Sequence, residues 1–251
     1  MQIITTATIK GGTGKTTTAA ALAQCAVNEG KRVLCIDMDP QGDFSFIMGA
    51  DANQPGAVEL LNGEDAGKLI QTTEQGADMI TGTPDLATET TKNNSAYRLN
   101  DAISPIKRNY DFIFIDTPPH MGELTFNALQ CATGIIIPLE ADGSSLQGFY
   151  QITDLARAMQ KTNKALKNIG CIITRYDQRA KINRFFYDTT KQKADEQKTP
   201  LLLAIRPGIA IKEAQIMQKS LYDYAPKSKP AQDYKKLYDA ISTGRKWQTV
   251  E

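Results

Sequence analysis

Residues 9–17, Ile9-Lys10-Gly11-Gly12-Thr13-Gly14-Lys15-Thr16-Thr17, restrict what this chain can fold into more than any other stretch. Gln2-Ile3-Ile4-Thr5-Thr6-Ala7-Thr8 precedes them and is β-branched enough to read as a buried strand. Thr18-Ala19-Ala20-Ala21-Leu22-Ala23-Gln24 follows, a run of good helix formers. Strand, glycine loop and helix in that order make the context of a phosphate-binding loop. Gly11, Gly12 and Gly14 let backbone N–H groups turn inward without a Cβ penalty, and the helix N-terminus adds partial positive charge. Lys10, Thr13 and Thr17 complete the candidate cradle. Lys15 can reach the β- and γ-phosphates of a nucleotide, and the Thr16 hydroxyl can ligate Mg²⁺. The spacing fits G-x-x-x-x-G-K-[ST] except at its first glycine, where Ile9 stands; the loop carries a second lysine, Lys10, instead.

The rest of the chain alternates strand and helix patterns. Gly30 can cap the first helix after Asn28-Glu29. Val33-Leu34-Cys35-Ile36 reads as a second buried strand, running into Asp37-Met38-Asp39-Pro40-Gln41-Gly42-Asp43. Acids just past a strand's C-terminal end lie on the ligand side of a parallel sheet. Residues 50–76 read as surface connection around a short helical patch at 57–61. Residues 78–84 read as a strand and turn, and 85–108 contain a helix with Leu99, Ala102, Ile103 and Ile106 at helical spacing. Tyr110-Asp111-Phe112-Ile113-Phe114-Ile115-Asp116 is a hydrophobic strand ending in an acid, a Walker B pattern in which Asp116 would hold Mg²⁺, usually through a water. Helices are expected from Thr125 to Cys131, Ser144 to Gln160 and Ile182 to Lys198, with a final one through Tyr234, Leu237, Tyr238 and Ile241. Strands are expected at 134–139, 169–174 and 201–205. This alternation predicts an α/β fold, a mainly parallel twisted sheet with helices on both faces. The expected organisation is one ATPase domain over 1–251, with no DNA-reading domain ahead of the loop.

Composition narrows the function classes. No apolar run is long enough to span a membrane, and the first residues read as a strand, not a signal peptide, so a cytoplasmic chain is expected. Cys25, Cys35, Cys131 and Cys171 are widely spaced without a C-x-x-C and read as buried free thiols. Net charge is +1 but unevenly spread: residues 1–150 hold 9 Lys+Arg against 18 Asp+Glu, and residues 151–251 hold 20 against 10. That asymmetry suggests a basic face for a polyanion; a merely solvated surface is the alternative. Lys227, Lys229, Lys235 and Lys236 flank or open the final helix, and Lys181, Arg184, Lys191 and Lys193 lie in or near the basic helix. Such residues contact phosphates without reading sequence, and no helix-turn-helix or zinc pattern offers base readout.

The loop Lys10-Gly11-Gly12-Thr13-Gly14-Lys15-Thr16-Thr17 resembles the deviant Walker A loop of the ParA/Soj/MinD superfamily of dimeric ATPases. Residues 37–42 resemble that family's D-x-D-P-Q-G switch I, and Thr117-Pro118-Pro119-His120-Met121-Gly122 its switch II. Less closely, Thr174-Arg175-Tyr176-Asp177, Lys212-Glu213-Ala214 and Tyr224-Ala225-Pro226-Lys227-Ser228-Lys229 look like ParA segments. The resemblance implies the P-loop NTPase fold of the deviant Walker A type, with ATP and Mg²⁺ as ligands. It implies that Lys10 crosses a homodimer interface to the partner's nucleotide. It implies that Asp39 helps to position the attacking water and the Mg²⁺ shell while Asp37 supports the loop. It implies slow hydrolysis stimulated by a ParB-like centromere-binding adaptor, non-specific binding of double-stranded DNA by the ATP-bound dimer, nucleoid association, and segregation of plasmid or chromosomal DNA. The resemblance would place adenine contacts on Arg206 and Pro207, although this segment, Ile205-Arg206-Pro207-Gly208, departs from the P-R-N that the family commonly carries. His120 stands where relatives commonly have a small residue and is expected at a surface or interface.

Two rival readings share the fold, and a third is of a different class. A MinD-like, membrane-associated regulator of division ends in an amphipathic helix, whereas residues 243–251 are short and polar, so stable insertion is not expected. A nitrogenase-reductase-like iron–sulfur protein needs cysteines in glycine-rich loops, and Cys131 lies in a helix without them. A nucleotide-gated binding module without hydrolysis is opposed by the intact set Lys15, Asp39 and Asp116.

Overall fold

The computed structural model describes residues 1–89 and 95–243. Eight strands form one sheet: β1 (Gln2–Thr6), β2 (Val33–Asp37), β3 (Gln71–Thr72), β4 (Asp78–Ile80), β5 (Phe112–Asp116), β6 (Gly134–Glu140), β7 (Lys167–Thr174) and β8 (Leu201–Ala204). Their order across the sheet is β3-β4-β2-β5-β1-β6-β7-β8. All neighbours are parallel except the two-residue edge strand β3, which runs antiparallel to β4. The helices are α1 (Lys15–Asn28), α2 (Asp43–Met48), α3 (Ala57–Leu61), α4 (Leu86–Glu89), α5 (Arg98–Ile103), α6 (Glu123–Cys131), α7 (Gly143–Met159), α8 (Lys181–Glu196), α9 (Ile209–Ile216), α10 (Leu221–Tyr224) and α11 (Lys229–Ser242). The expected α/β class, with helices on both faces of a mainly parallel sheet, is the one observed.

Strand periodicity decides which helices cover which face. Along β1, β2 and β5, residues Ile4, Val33, Cys35, Phe112 and Phe114 point to one side and pack with α1 and α11. Ile3, Leu34, Ile36, Ile113 and Ile115 point to the other side and pack with α3, α5 and α6. A third cluster joins β6 and β7 to α7 and α8 through Ile135, Ile137, Phe149 and Phe186. Burial on both faces explains why these strands read as continuous apolar runs in sequence.

Residues 50–76 depart from the surface connection expected of them. Ala57, Leu60, Leu61, Ala66 and Leu69 are buried against the sheet, and β3 closes its edge. The helical patch expected at 57–61 is α3, and the 3-10 turn that follows at Ala66–Lys68 is too brief to set up a helical period. Helices α2, α9 and α10 are not among the elements expected from sequence. The four cysteines are buried free thiols, as expected. No helix among the described residues is long and apolar enough to cross a membrane. The polar segment 244–251, on which the amphipathic-helix alternative turns, lies outside the described residues.

Register places the chemistry. Thr6 of β1 pairs with Asp116 of β5, and Asp116 pairs in turn with Asp37 of β2. Three strands therefore end level at their C-terminal edge, where the β1–α1 loop also sits. Chain order runs from β1 to β2 on one side and returns to β6 on the other, the switch point at which α/β sheets bind ligands.

Candidate active site

The loop after β1 is built to present its amides. Gly12 and Gly14 take φ of 76° and 89°, values that strain any side-chain-bearing residue. Thr13 is buried; its carbonyl accepts a 2.8 Å hydrogen bond from the Thr174 hydroxyl at the end of β7. A Cβ at Gly14 would lie 3.2 Å from Thr174 Cγ2, so the same β7 threonine both ties and confines the loop. On the helix side, the Thr18 hydroxyl donates to the Gly14 carbonyl at 2.7 Å.

Lys15, Thr16, Asp39 and Asp116 converge just below. The Thr16 hydroxyl donates to Asp116 Oδ2 at 2.6 Å, and the Thr6 hydroxyl donates to Asp116 Oδ1 at 3.1 Å. Burial raises the Asp116 pKa to about 7, helped by the neighbouring charge of Asp37 and opposed by Thr16 and Lys15. Lys15 is 6% exposed; burial lowers its pKa, while Asp116 and Asp39 pull the other way. A buried ammonium at the start of α1, next to a glycine loop, is a site at which a polyphosphate can bind. Asp39 is also buried and accepts the Gln41 amide at 3.1 Å. Asp37, wholly buried, accepts the Asp39 amide at 3.0 Å and the Ser45 amide at 2.9 Å, which matches its expected support of the loop.

These groups fit a magnesium nucleotide. Hydroxyl and carboxylate oxygens are the hard donors Mg²⁺ prefers, and the ion commonly takes only one or two protein carboxylates beside phosphate oxygens and water. Thr16 and Asp116 already sit within hydrogen-bond distance of each other, so one ion can lie against both. No group of three or more His, Cys, Asp or Glu that could hold a metal ion occurs among the described residues. Cys131 is buried in α6 and donates to the Ala128 carbonyl at 3.3 Å.

Lys10 lies at the mouth of the loop, where its ammonium pairs with Asp142 of the same chain. Asp142 also caps α7, accepting the Ser144 and Ser145 amides at 3.0 Å each. Burial acts to raise the Asp142 pKa, but the hydrogen bonds from Lys10, Ser144 and Ser145 prevail and hold it at about 2. In switch II, the Thr117 hydroxyl donates to the Thr6 carbonyl at 2.9 Å, tying that loop to β1. His120 is exposed and its ring covers Gly122, where a Cβ would meet Nδ1 at 2.7 Å.

Beside the loop opens a cleft of about 450 Å³, lined among others by Thr17, Arg206, Pro207, Ile211, Lys212 and Gln215. Gln215 donates to the Thr17 hydroxyl at 3.0 Å. The Arg206 guanidinium is engaged by Asp233, at 2.8 and 2.7 Å. Sequence reading did not find Thr6, Ser45, Asp142 or Gln215, which carry no motif of their own. Only Asp142 had a local signal, since Asp-Gly-Ser-Ser ahead of an apolar period is a helix start.

The expected basic residues lie on or just before two helices, α8 and α11; Lys191 is exposed further along α8, and Lys193 pairs with Glu196 at 3.0 Å. Lys181 and Arg184 are exposed on α8, and Lys227, Lys229 and Lys236 are exposed in or just before α11. Lys229 is close enough to Asp177, ahead of α8, to lower its pKa together with Arg179. Lys235 is different: it pairs with Glu29 and Asp239 and lies over the Tyr238 ring.

Sheet order, glycine loop and buried lysine define a P-loop nucleoside triphosphatase. Residues 1–168 match the family described as AAA domain. The chromosome partitioning protein ParA of Myxococcus xanthus is 33% identical over 93% of this chain and 85% of its own length. The sporulation initiation inhibitor protein Soj of Bacillus subtilis is 32% identical over 96% of this chain and 98% of its own. The crystal structure of cobyrinic acid a,c-diamide synthase from Mycobacterium smegmatis, with bound ATP analog and magnesium, superposes with a TM-score of 0.83 at 29% identity, covering 100% of both chains. The chain belongs to the ParA-type superfamily of deviant Walker A ATPases.

Proposed function

We propose that this chain is a partition ATPase that binds Mg²⁺–ATP, dimerises on it, binds DNA without sequence preference in that state, and hydrolyses ATP slowly under a ParB-like adaptor. The observation that carries the reading is the convergence of Lys15, Thr16, Asp39 and Asp116 at one sheet edge, with Lys10 at its rim. The loop amides and Lys15 hold the β- and γ-phosphates. Bound Mg²⁺, against Thr16 and Asp116, supplies neutralisation of phosphate charge. Asp39 orients the water that attacks the γ-phosphorus, the bond to the β-γ bridging oxygen breaks, and ADP and phosphate leave. Such catalysis rests on positioning and electrostatics, so a chain whose second lysine is held elsewhere turns over slowly. Lys10 exchanges Asp142 for the partner's nucleotide when two subunits meet. Exposed Lys181, Arg184, Lys227, Lys229 and Lys236 then form paired phosphate-binding faces; Lys235, already neutralised, is left out. The cytoplasmic, nucleoid-bound location and the plasmid or chromosomal cargo follow from the same reading.

Phosphate release with Mg²⁺–ATP tests it. Wild type should hydrolyse slowly and Asp39→Ala should retain ATP but release little phosphate. An Asp39→Ala variant as active as wild type would remove Asp39 from the reaction, and a wild type that binds ATP without any turnover would leave only a nucleotide-gated module.

A further inference from the structure

The switch I turn is held by a clamp that reaches beyond Asp37 and Asp39. Ser45, at the start of α2, is 1% exposed. Its hydroxyl donates to Asp37 Oδ2 at 2.8 Å and accepts the Gly82 amide at 2.9 Å. One oxygen therefore joins the end of β2, the start of α2 and the chain leaving β4. Gly82 presses directly on the same turn. A Cβ there would lie 2.8 Å from the Asp39 carbonyl oxygen, 2.9 Å from the Asp37 carbonyl oxygen and 2.9 Å from Asp37 Cγ, too close for any side chain. Across from it, Gly42 sits at φ 69° and its amide donates to the Asp39 carbonyl at 3.0 Å. A Cβ on Gly42 would meet the Gly82 carbonyl at 3.0 Å. Two backbones pack glycine to glycine around Asp39, with Ser45 bolting them to the sheet.

We propose that Ser45 and Gly82 are positioning residues for Asp39: the serine hydroxyl and the side-chain-free Gly82 backbone hold the 37–43 turn so that the Asp39 carboxylate stays poised beside Lys15 and the phosphate loop. Neither residue reaches the nucleotide; both act through the turn. The inference rests on the ATPase reading and deepens it. It requires that loosening the clamp lower turnover while leaving nucleotide binding, which belongs to the Gly11–Thr17 loop, in place.

The test is steady-state hydrolysis by the full chain carrying Ser45→Ala or Gly82→Ala, each alone and combined with Asp39→Ala, with affinity for a fluorescent ATP analog measured alongside. Each single variant should lose about tenfold or more in kcat with KM and analog affinity within about twofold of wild type. In the Asp39→Ala background the same substitution should cost less than about twofold, because residues acting as a unit are not additive. Ser45→Cys, which keeps the size and weakens both hydrogen bonds, should fall between, and it carries the test with Ser45→Ala if Gly82→Ala does not fold. Wild-type kcat in Ser45→Ala, an equal loss in the Asp39→Ala background, or a rise in KM at unchanged kcat would each overturn the clamp. If wild type itself does not hydrolyse ATP, the ATPase reading fails with it. If wild type and Asp39→Ala behave as proposed and Ser45→Ala matches wild type, the clamp alone fails.

Discussion

Asp142 does two things at once: it caps α7 and it holds Lys10. Its pKa in the folded chain, about 2, lies below its ordinary value of 3.8. The ionised form therefore adds stability that is complete above about pH 4 and is lost as pH falls through 2. With about a third of the side chain exposed, solvent screening reduces the contribution to about 1 kcal/mol. Asp142→Asn, which keeps a capping oxygen, should lower unfolding free energy by that amount at pH 7 in urea melts, and the gap to wild type should close toward pH 2. A constant gap across that range would show the charge to be irrelevant. Lys15 poses a different case, an ammonium whose pKa burial lowers against the pull of Asp116 and Asp39. Lys15→Ala should abolish ATP binding in calorimetry while the fold persists; retained micromolar binding would shift the anchoring role onto the loop amides alone.

At the scale of elements, β1, the loop and α1 were legible because one stretch carries three agreeing signals: β-branched strand, glycines, helix formers. The Walker B strand was legible because burial on both faces makes it apolar throughout and its last residue an acid. What could not be read was relative placement. Nothing local tells that Asp37 and Asp116 end level, since that comes from the register of β2 and β5 on opposite sides of an intervening 70-odd residues. Nor does any local pattern bring Thr174, 161 residues from Thr13, onto the loop. In residues 50–76 the helical patch at 57–61 is legible and coincides with α3, whereas its burial against the sheet and the two-residue strand β3 carry no local signal. Helix α11 shows the reverse, a strong period with Tyr234, Leu237, Tyr238 and Ile241 buried and Lys236 exposed. Leu237→Ala should therefore cost about 2–5 kcal/mol in equilibrium unfolding, whereas Lys236→Ala should stay within about 0.5 kcal/mol. Equal effects would mean that α11 is not anchored through this stripe.

Over the whole molecule, charge and fold divide the labour. The acidic N-terminal portion supplies the loop and both switch segments, and the basic remainder supplies α8 and α11, whose starts approach each other near Asp177 and Lys229. A face of exposed lysines and one arginine is weak alone and gains avidity when two copies are joined. If the ATP-bound dimer neutralises about four phosphates, log K for DNA should fall with log salt at a slope of about −3.6. Charge reversal at Lys227 and Lys229 should flatten that slope in electrophoretic shifts on unrelated duplexes, with ATP binding unchanged. Affinity that is the same with and without ATP would separate DNA binding from the nucleotide.

All of this depends on ATP joining two subunits through Lys10, and sedimentation of Asp39→Ala, which holds ATP without consuming it, examines that step directly. With Mg²⁺–ATP its mass should double over the nucleotide-free protein, and Lys10→Ala in the same background should bind ATP yet stay monomeric. Doubling that survives the loss of Lys10, or a monomer in the presence of saturating ATP, would contradict the account.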